Sequence, residues 1–570
     1  MIDIDPADEN VVSNGLIAIA EEMGEILQRS AHSSVVRETR DCATVVSDAN
    51  GHAVAQAEMN AIHVNSIESV FSWARDHVDF ATLRPGDALI TNHPYQNAQH
   101  LNDIFVLLPV FHDGRLVAFA SSVCHHIDVG GAIAGANASA TDYLQEGLVI
   151  PFMRVELERD LLGGIVEKML AANIRMATVV AGDFRAQISS VIRGRMLLER
   201  LFERHGTALV HGCMTRMLDR CAEQMRSALA ALPDGEYEAC DLMDGRTVDA
   251  EPLPIKVKLI LRDGGAQVDL SECPDPVGWP INSTRASTEA AIMTIFACLL
   301  PAGTPINAGM FRPIEVRTRP GSLLDPLPPA PVRGRMAPVS RVASALKRAL
   351  ASAGCTRVSA GGGDATNFVT WTLRTADGYR MYSEGVACGY GAADGYDGES
   401  GLCQVLVNVL NTPIEAIERD HGFVRILAYG YVPDSGGAGR YRGGLGVRRC
   451  YEVLEDGVLL STTGDRHSGA PWGFGGGADG ACASYTLIRD GVATRIPPSS
   501  TMPVRKGDRF VAEAAGGGGF GDPRQRDRAS VLLDFIHGRI SRCAAIETYG
   551  MAEGELPAAG ADRYLPSIPN

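Results

Sequence analysis

The stretch HLNDIFVLLPVFHDGRLVAFASSVCHH, running from His100 to His126, decides how the N-terminal part of the chain folds. Ile104 to Phe111 and Leu116 to Val123 are apolar runs of strand length on either side of Asp113-Gly114, a two-residue type I′ turn signal, so the stretch reads as a β-hairpin. Pairing His112 with Arg115 makes paired residue numbers sum to 227 and predicts Asn102 opposite His125 and Asp103 opposite Cys124. His100 lies within a few residues of both. Imidazole and carboxylate groups therefore converge at the end of the hairpin away from its turn, a donor set suited to Zn²⁺, Mn²⁺ or Fe²⁺ with coordination positions left open. The same residues also fit a plainer reading, in which His100 and Asp103 form a polar loop and His125 and His126 are hydrogen-bonded histidines beside a core, since H-x-x-D is short enough to arise by chance. Asn102 is an alternative oxygen ligand. On a regular strand His126 points away from His125, which would make it an orienting group or a proton carrier.

Working outward, a helix is predicted over residues 11–31, where Leu16, Ile19, Ala20, Met23, Ile26 and Leu27 share one face. Cys42 to Val46 and His52 to Gln56 read as strands joined through Asn50-Gly51, and Ile67 to His77 as a second helix. A turn at Pro85-Gly86-Asp87 leads into a strand at Ala88 to Thr91. Residues 160–205 read as largely helical, and Ile255 to Leu270 as a hairpin broken by Asp263-Gly264-Gly265. Asn282 to Leu300 is expected to be helical, Arg312 to Leu327 extended and Pro326 to Pro338 a proline-rich loop, with a last helix at Ala529 to Gly538. The fold class expected is α+β, with mainly antiparallel sheets and a glycine-rich, β-dominated C-terminal half. Three regions are expected: 1–240 with the metal site, 241–355 central, and 356–570.

The chain has 570 residues, 45% hydrophobic and 21% charged, enough to bury a large core without disulfide staples. Its 13 cysteines are odd in number and include no C-x-x-C pair, which predicts reduced thiols rather than a disulfide framework or thiolate zinc site. A formal charge of −16 and the lack of a basic patch argue against nucleic-acid binding. The acidic N-terminus lacks the features of a signal peptide, and no apolar run is long enough to span a bilayer, so a cytoplasmic location without membrane contact is expected. Disorder is expected only at the extreme C-terminus.

Beyond residue 355 glycines cluster at 361–363, 443–446, 475–477 and 516–519, as turns and close backbone crossings would require. Gly516-x-Gly518-x-x-Gly521 matches a dinucleotide fingerprint only formally, because Asp522-Pro523 follows where a helix should start. No G-x-x-x-x-G-K-[ST] motif occurs.

These motifs fall in an order that resembles the B-type subunits of the hydantoinase and 5-oxoprolinase family, which includes the alpha-type subunits of acetone and acetophenone carboxylases. The resemblance runs through Arg40-Asp41, Asn92-His93-Pro94-Tyr95, His100-Leu101-Asn102-Asp103, His125-His126-Ile127-Asp128-Val129-Gly130-Gly131 and Tyr143-Leu144-Gln145-Glu146-Gly147. It continues through Gly182-Asp183-Phe184-Arg185-Ala186-Gln187, Arg312-Pro313-Ile314, Asp434 to Gly444 and Gly516 to Pro523. The chain departs from the family pattern at His93, where aspartate is usual, and at Asn97-Ala98, where paired glycines are usual.

The resemblance implies that His100, Asp103 and His125 are metal ligands and that Asp41 completes the set, although a salt bridge to Arg37 or Arg40 would equally account for Asp41. It implies a hetero-oligomeric, two-component enzyme: an A-type ATPase partner phosphorylates the oxygen of a cyclic amide or ketone, and this chain, with one divalent metal (Zn, Mn or Fe) activating water, completes the reaction. The substrate expected is a hydantoin, oxoproline or lactam-like ring, with His126 and Glu146 as proton-transfer candidates; Glu146 also fits as the structural partner of an arginine. Two further readings are a ketone carboxylase, separated by a requirement for bicarbonate, and a non-catalytic scaffold for the ATPase.

Overall fold

A computed structural model describes residues 4–57, 59–135, 137–365, 367–402, 405–407 and 412–557. The expectation for the extreme C-terminus lies outside them. Helices α1 (Pro6–Ser30) and α2 (Ser34–Arg37) precede strands β1 (Cys42–Asp48) and β2 (Ala53–Gln56), then helix α3 (Ala61–His77). Strands β3 (Asp87–Thr91), β4 (Asp103–His112), β5 (Arg115–His125) and β6 (Met153–Glu156) follow. They complete a six-stranded antiparallel sheet in the order β2-β1-β5-β4-β3-β6.

The β4–β5 hairpin is the centre of that sheet, and its register corrects the predicted one. His112 pairs with Arg115 and Phe111 with Leu116, but Val110 pairs with Ala118, so Val117 is an extra residue on β5. This β-bulge moves the remaining pairs by one and sets Asp103 directly opposite His125 and Ile104 opposite Cys124. A rule based on the turn alone has no information about a bulge further along the strands.

Helices α4 (Ile165–Asn173), α5 (Ala177–His205) and α6 (Thr207–Ala230) come next. The apolar face of α1, with Leu16, Ala20 and Met23 fully buried, packs with α5 against β1, β4 and β5 to form the first core. Helix α6 extends helical structure beyond the predicted end at 205, because Gly206 at φ 75° turns the chain and a second helix starts at once.

The central part is a four-stranded sheet of β7 (Gly235–Met243), β8 (Leu253–Arg262), β9 (Gly265–Asp269) and β10 (Ile314–Arg317), where β10 pairs parallel to β9. Helices α7 (Arg285–Ala297) and α8 (Met336–Ser352) share a core with it. Two expectations are corrected here. Only four residues of the predicted extended segment 312–327 form a strand, and the proline-rich loop ends in α8, whose Pro338 sits in the first turn where a helix needs no backbone N–H.

The last part holds β11 (Asn367–Thr375), β12 (Gly378–Val386), α9 (Ile414–Asp420), β13 (Val424–Tyr431), β14 (Val447–Val453), β15 (Val458–Thr463), β16 (Ser484–Arg489), β17 (Val492–Arg495), β18 (Ser500–Val504), β19 (Arg509–Glu513) and α10 (Arg528–Ile536). The strands form two antiparallel sheets, β12-β11-β15-β18 and β13-β14-β19-β16-β17. Trp371, Tyr451, Tyr485 and Phe510 fill the core they share. The architecture is α+β with mainly antiparallel sheets. The glycine clusters are extended segments crossing one another: Gly517 N–H donates to Gly444 C=O and Gly444 N–H to Tyr390 C=O, and a Cβ on Gly517 would lie 1.9 Å from Tyr390 O. Among the described residues no helix is long and apolar enough to cross a membrane, and the described cysteines are free thiols.

Candidate metal centre

Asp103 and His125 face each other as a non-hydrogen-bonded pair, since the neighbouring His126 N–H donates to Asn102 C=O at 2.8 Å. That is the closer of the two antiparallel pair types, and it puts both side chains on one face of the sheet. His125 Nδ1 lies 3.1 Å from Asp103 Oδ1. His100 reaches the same point through a turn closed by Asp103 N–H donating to His100 C=O, and its Nε2 lies 2.9 Å from Asp103 Oδ1 and 3.2 Å from His125 Nδ1.

These three atoms form a nearly equilateral triangle. An ion bound at about 2.0–2.2 Å spaces adjacent ligand atoms about 2.9–3.5 Å apart in octahedral or tetrahedral geometry, so the donor set fits a divalent metal. Burial, with Arg335 beside it, pushes His100 well below the usual imidazole range, leaving the neutral ring that a metal requires. Burial alone would raise Asp103, but the imidazoles of His100 and His63 and the Arg335 guanidinium outweigh it and hold the carboxylate ionised.

Asp41 reaches this site because β1 pairs with β5. Cys42 lies opposite Cys124, and His125 N–H donates to Asp41 C=O at 3.0 Å. Asp41 Oδ2 is 3.8 Å from His125 Nδ1, while Oδ1 accepts from His63 Nε2 at 2.8 Å and from the Asn60 amide. Burial would raise this carboxyl, and His63 and His125 hold it down at about 2. Arg37 pairs instead with Glu38 at 2.9 Å.

Sequence reasoning missed three of the groups around this triangle. His63, whose own burial would lower its pKa, is raised by Asp103 and Asp41, and it bridges Asp41 at 2.8 Å and Asp103 Oδ2 at 3.7 Å. It lies in the first turn of α3, ahead of the Ile67 at which the apolar periodicity begins. Arg335 donates to Asp103 Oδ2 at 2.8 Å and to Gln99 Oε1 at 2.8 Å, and Arg333 donates to Asn102 Oδ1. Both arginines stand in the segment read from sequence only as proline-rich loop, where no spacing marks a site.

A cavity of about 90 Å³ opens on the triangle, bounded on the metal side by Asp41, His100 and His125 and elsewhere by apolar Ile62, Met336 and Phe368. The two proton-transfer candidates sit behind its wall. His126 is fully buried on the opposite face of β5, with Nε2 3.3 Å from Gln187 Oε1, and burial lowers its pKa. Glu146 accepts from the backbone N–H of Arg333 at 2.9 Å and of Val332 at 3.2 Å, and burial pushes its carboxyl up to about 7. His93 Nδ1 accepts from Tyr95 N–H at 3.2 Å and caps the short 3₁₀ turn Pro94–Gln96, a role the usual aspartate would also serve.

Residues 5–523 match the family described as Hydantoinase B/oxoprolinase. The putative B-type subunit of the D-/L-hydantoinase of Pseudomonas sp. (strain NS671) is 30% identical over 567 residues, covering 96% of this chain and 95% of that protein. The caprolactamase beta subunit of Pseudomonas jessenii is 28% identical, with 98% of each chain covered. The crystal structure of ATP-dependent caprolactamase from Pseudomonas jessenii superimposes with a TM-score of 0.87 at 26% identity over 98% of both chains. Nucleotide-free acetone carboxylase superimposes with a TM-score of 0.87 over 96% of this chain and 80% of that one, and at 19% identity it shows a shared fold.

Proposed function

Because this chain belongs to the hydantoinase B/oxoprolinase family, we propose that it is the metal-dependent, ring-opening subunit of a two-component, ATP-dependent cyclic-amide hydrolase. The observation that carries this reading is the triangle of His100 Nε2, Asp103 Oδ1 and His125 Nδ1, with edges of 2.9, 3.1 and 3.2 Å, facing a largely apolar cavity. Asp41 stands ready as a fourth donor. A divalent ion there supplies Lewis-acid polarisation and a water of lowered pKa.

The chain's own residues do the rest. His63 and Asn60 fix one oxygen of Asp41 and leave the other turned to His125. Arg335 holds Asp103 Oδ2, so Oδ1 is the oxygen presented to the two imidazoles. Ile62, Met336 and Phe368 exclude bulk water from a bound ring. Neither His126 nor Glu146 lines the cavity, so both act as positioning residues in this proposal: His126 against Gln187 behind β5, Glu146 through the backbone of Arg333.

An A-type partner is supported by the two-subunit naming of the relatives, and the use of ATP by the ATP-dependent caprolactamase whose structure this chain resembles; ATP is assigned to the partner in this proposal. The test is to purify the chain with and without an A-type partner and to follow ATP cleavage and ring opening of a hydantoin, oxoproline or lactam. Ring opening that needs both subunits, ATP and no bicarbonate is expected. A bicarbonate requirement would move the chain to the carboxylase reading, and robust ATPase activity in the isolated chain would contradict the division of labour.

A further inference from the structure

The cavity wall carries two arginines, and only one is accounted for by the metal ligands. Arg335 is neutralised by Asp103 at 2.8 Å. Arg333 forms no ion pair among the described residues, and its single side-chain hydrogen bond goes from Nη1 to the neutral amide of Asn102. The carboxylates that act on it through space, Glu146, Asp128 and Asp103, are engaged elsewhere, Asp103 with Arg335. Glu146 accepts from the backbone N–H groups of Val332 and Arg333, and Asp128 from those of Gly130, Arg175 and Met176. A guanidinium has five N–H donors and stays charged, so most of its donors remain for whatever enters the cavity.

The backbone is built to hold it there. Glu146 grips the amide of Arg333 at 2.9 Å, and Gly334 packs so tightly that a Cβ would lie 2.5 Å from Pro280 O. Helix α8 starts two residues later, and Gly334, Arg335 and Met336 line the same cavity, so the positive end of the helix adds to the field.

We propose that Arg333 binds an oxyanion of the substrate, beside the His100–Asp103–His125 triangle. Which oxyanion it is rests on the ring-opening reading: either the phosphoryl group of the activated ring or a carboxylate carried by the ring. Both offer paired oxygens to the fork of a guanidinium.

The full-length chain, stripped of metal with a chelator, is titrated with inorganic phosphate and binding is followed by calorimetry. Arg333→Gln is expected to weaken binding at least about tenfold, as loss of charge-assisted hydrogen bonds requires, and Arg333→Lys to recover part of it. Equal binding by wild type and both variants, or no binding by wild type, overturns the proposal. With the A-type partner, kcat/KM is then compared for 5-oxoproline, which carries a carboxylate, and ε-caprolactam, which does not. Loss with both rings in Arg333→Gln identifies the phosphoryl group, and loss with oxoproline alone identifies the carboxylate. Loss with neither overturns the proposal. If wild type opens neither ring while phosphate binding still depends on Arg333, the ring-opening reading fails and the anion site stands.

Discussion

At the scale of residues, the three donors lie within 3.2 Å of one another, a spacing that ligand atoms sharing one metal ion would also have. His100 Nε2 and His125 Nδ1 both point at Asp103 Oδ1 and at each other, 3.2 Å apart. One carboxylate oxygen between two ring nitrogens holds them together, and an ion would sit at their common focus. His100→Ala and Asp103→Ala each remove a donor near a hairpin end, where water can replace the lost contact, so a folded subunit that still binds its partner is expected. Ring opening should fall at least about a hundredfold while substrate-stimulated ATP cleavage continues, so that phosphate release outruns product. Parallel assays of phosphate and ring-opened product check this; equal losses of both would point to assembly rather than chemistry. The triangle was legible from the spacing of H-x-x-D and the hairpin that follows it. His63, Arg333 and Arg335 were not, because each comes from a distant segment and is brought in by tertiary packing.

At the scale of elements, the site depends on one irregularity and one glycine crossing depends on the lack of a side chain. Val117, the extra residue of the bulge, sets Asp103 rather than its neighbour Asn102 across from His125. A turn signal fixes the register only until the first bulge, which is why hairpin, turn and strand ends were readable while the pairing was off by one. Proline likewise reads as loop, yet at Pro338 it opens α8 and so helps place Arg335. In the C-terminal part Gly517 and Gly444 meet backbone at distances no Cβ tolerates, 1.9 and 1.8 Å to Tyr390 O and Glu399 O. Gly517→Ala is therefore expected to cost more than about 4 kcal/mol, whereas Gly278→Ala, which meets nothing within 4 Å, should stay within about 1 kcal/mol. Thermal unfolding of the two variants checks the contrast; similar melting temperatures would show that the crossings relax.

At the scale of the whole molecule, a buried ion network ties the central and C-terminal parts together. Asp241 on β7 receives both terminal nitrogens of Arg466 at 2.8 Å and lies 3.4 Å from Arg341 of α8, which also pairs with Asp465 at 3.0 Å. Asp241→Ala leaves Arg466 buried without its bidentate partner, so a loss of about 3–5 kcal/mol is expected, read as a fall in the denaturant midpoint. An unchanged midpoint would mean that the network contributes no net stability. His467, next to Arg466, supplies a pH dependence: burial, reinforced by Arg495 and opposed by Asp244, depresses its pKa to about 4. Between about 6.5 and 4 the unfolded chain then binds more protons than the folded one, so stability falls as pH falls, by at most about 3 kcal/mol from this group. His467→Gln should flatten that part of the pH profile, and an unaltered slope would assign it to the carboxylates.

The proposed ring opening depends on a metal ion held by His100, Asp103 and His125. Elemental analysis of the full-length chain, purified without chelator beside its His100→Ala variant, measures it directly. About one zinc, manganese or iron per wild-type chain, falling to a small fraction in the variant, is the predicted result. Equal metal in both proteins, or a ring-opening wild type with metal far below one per chain, would contradict it.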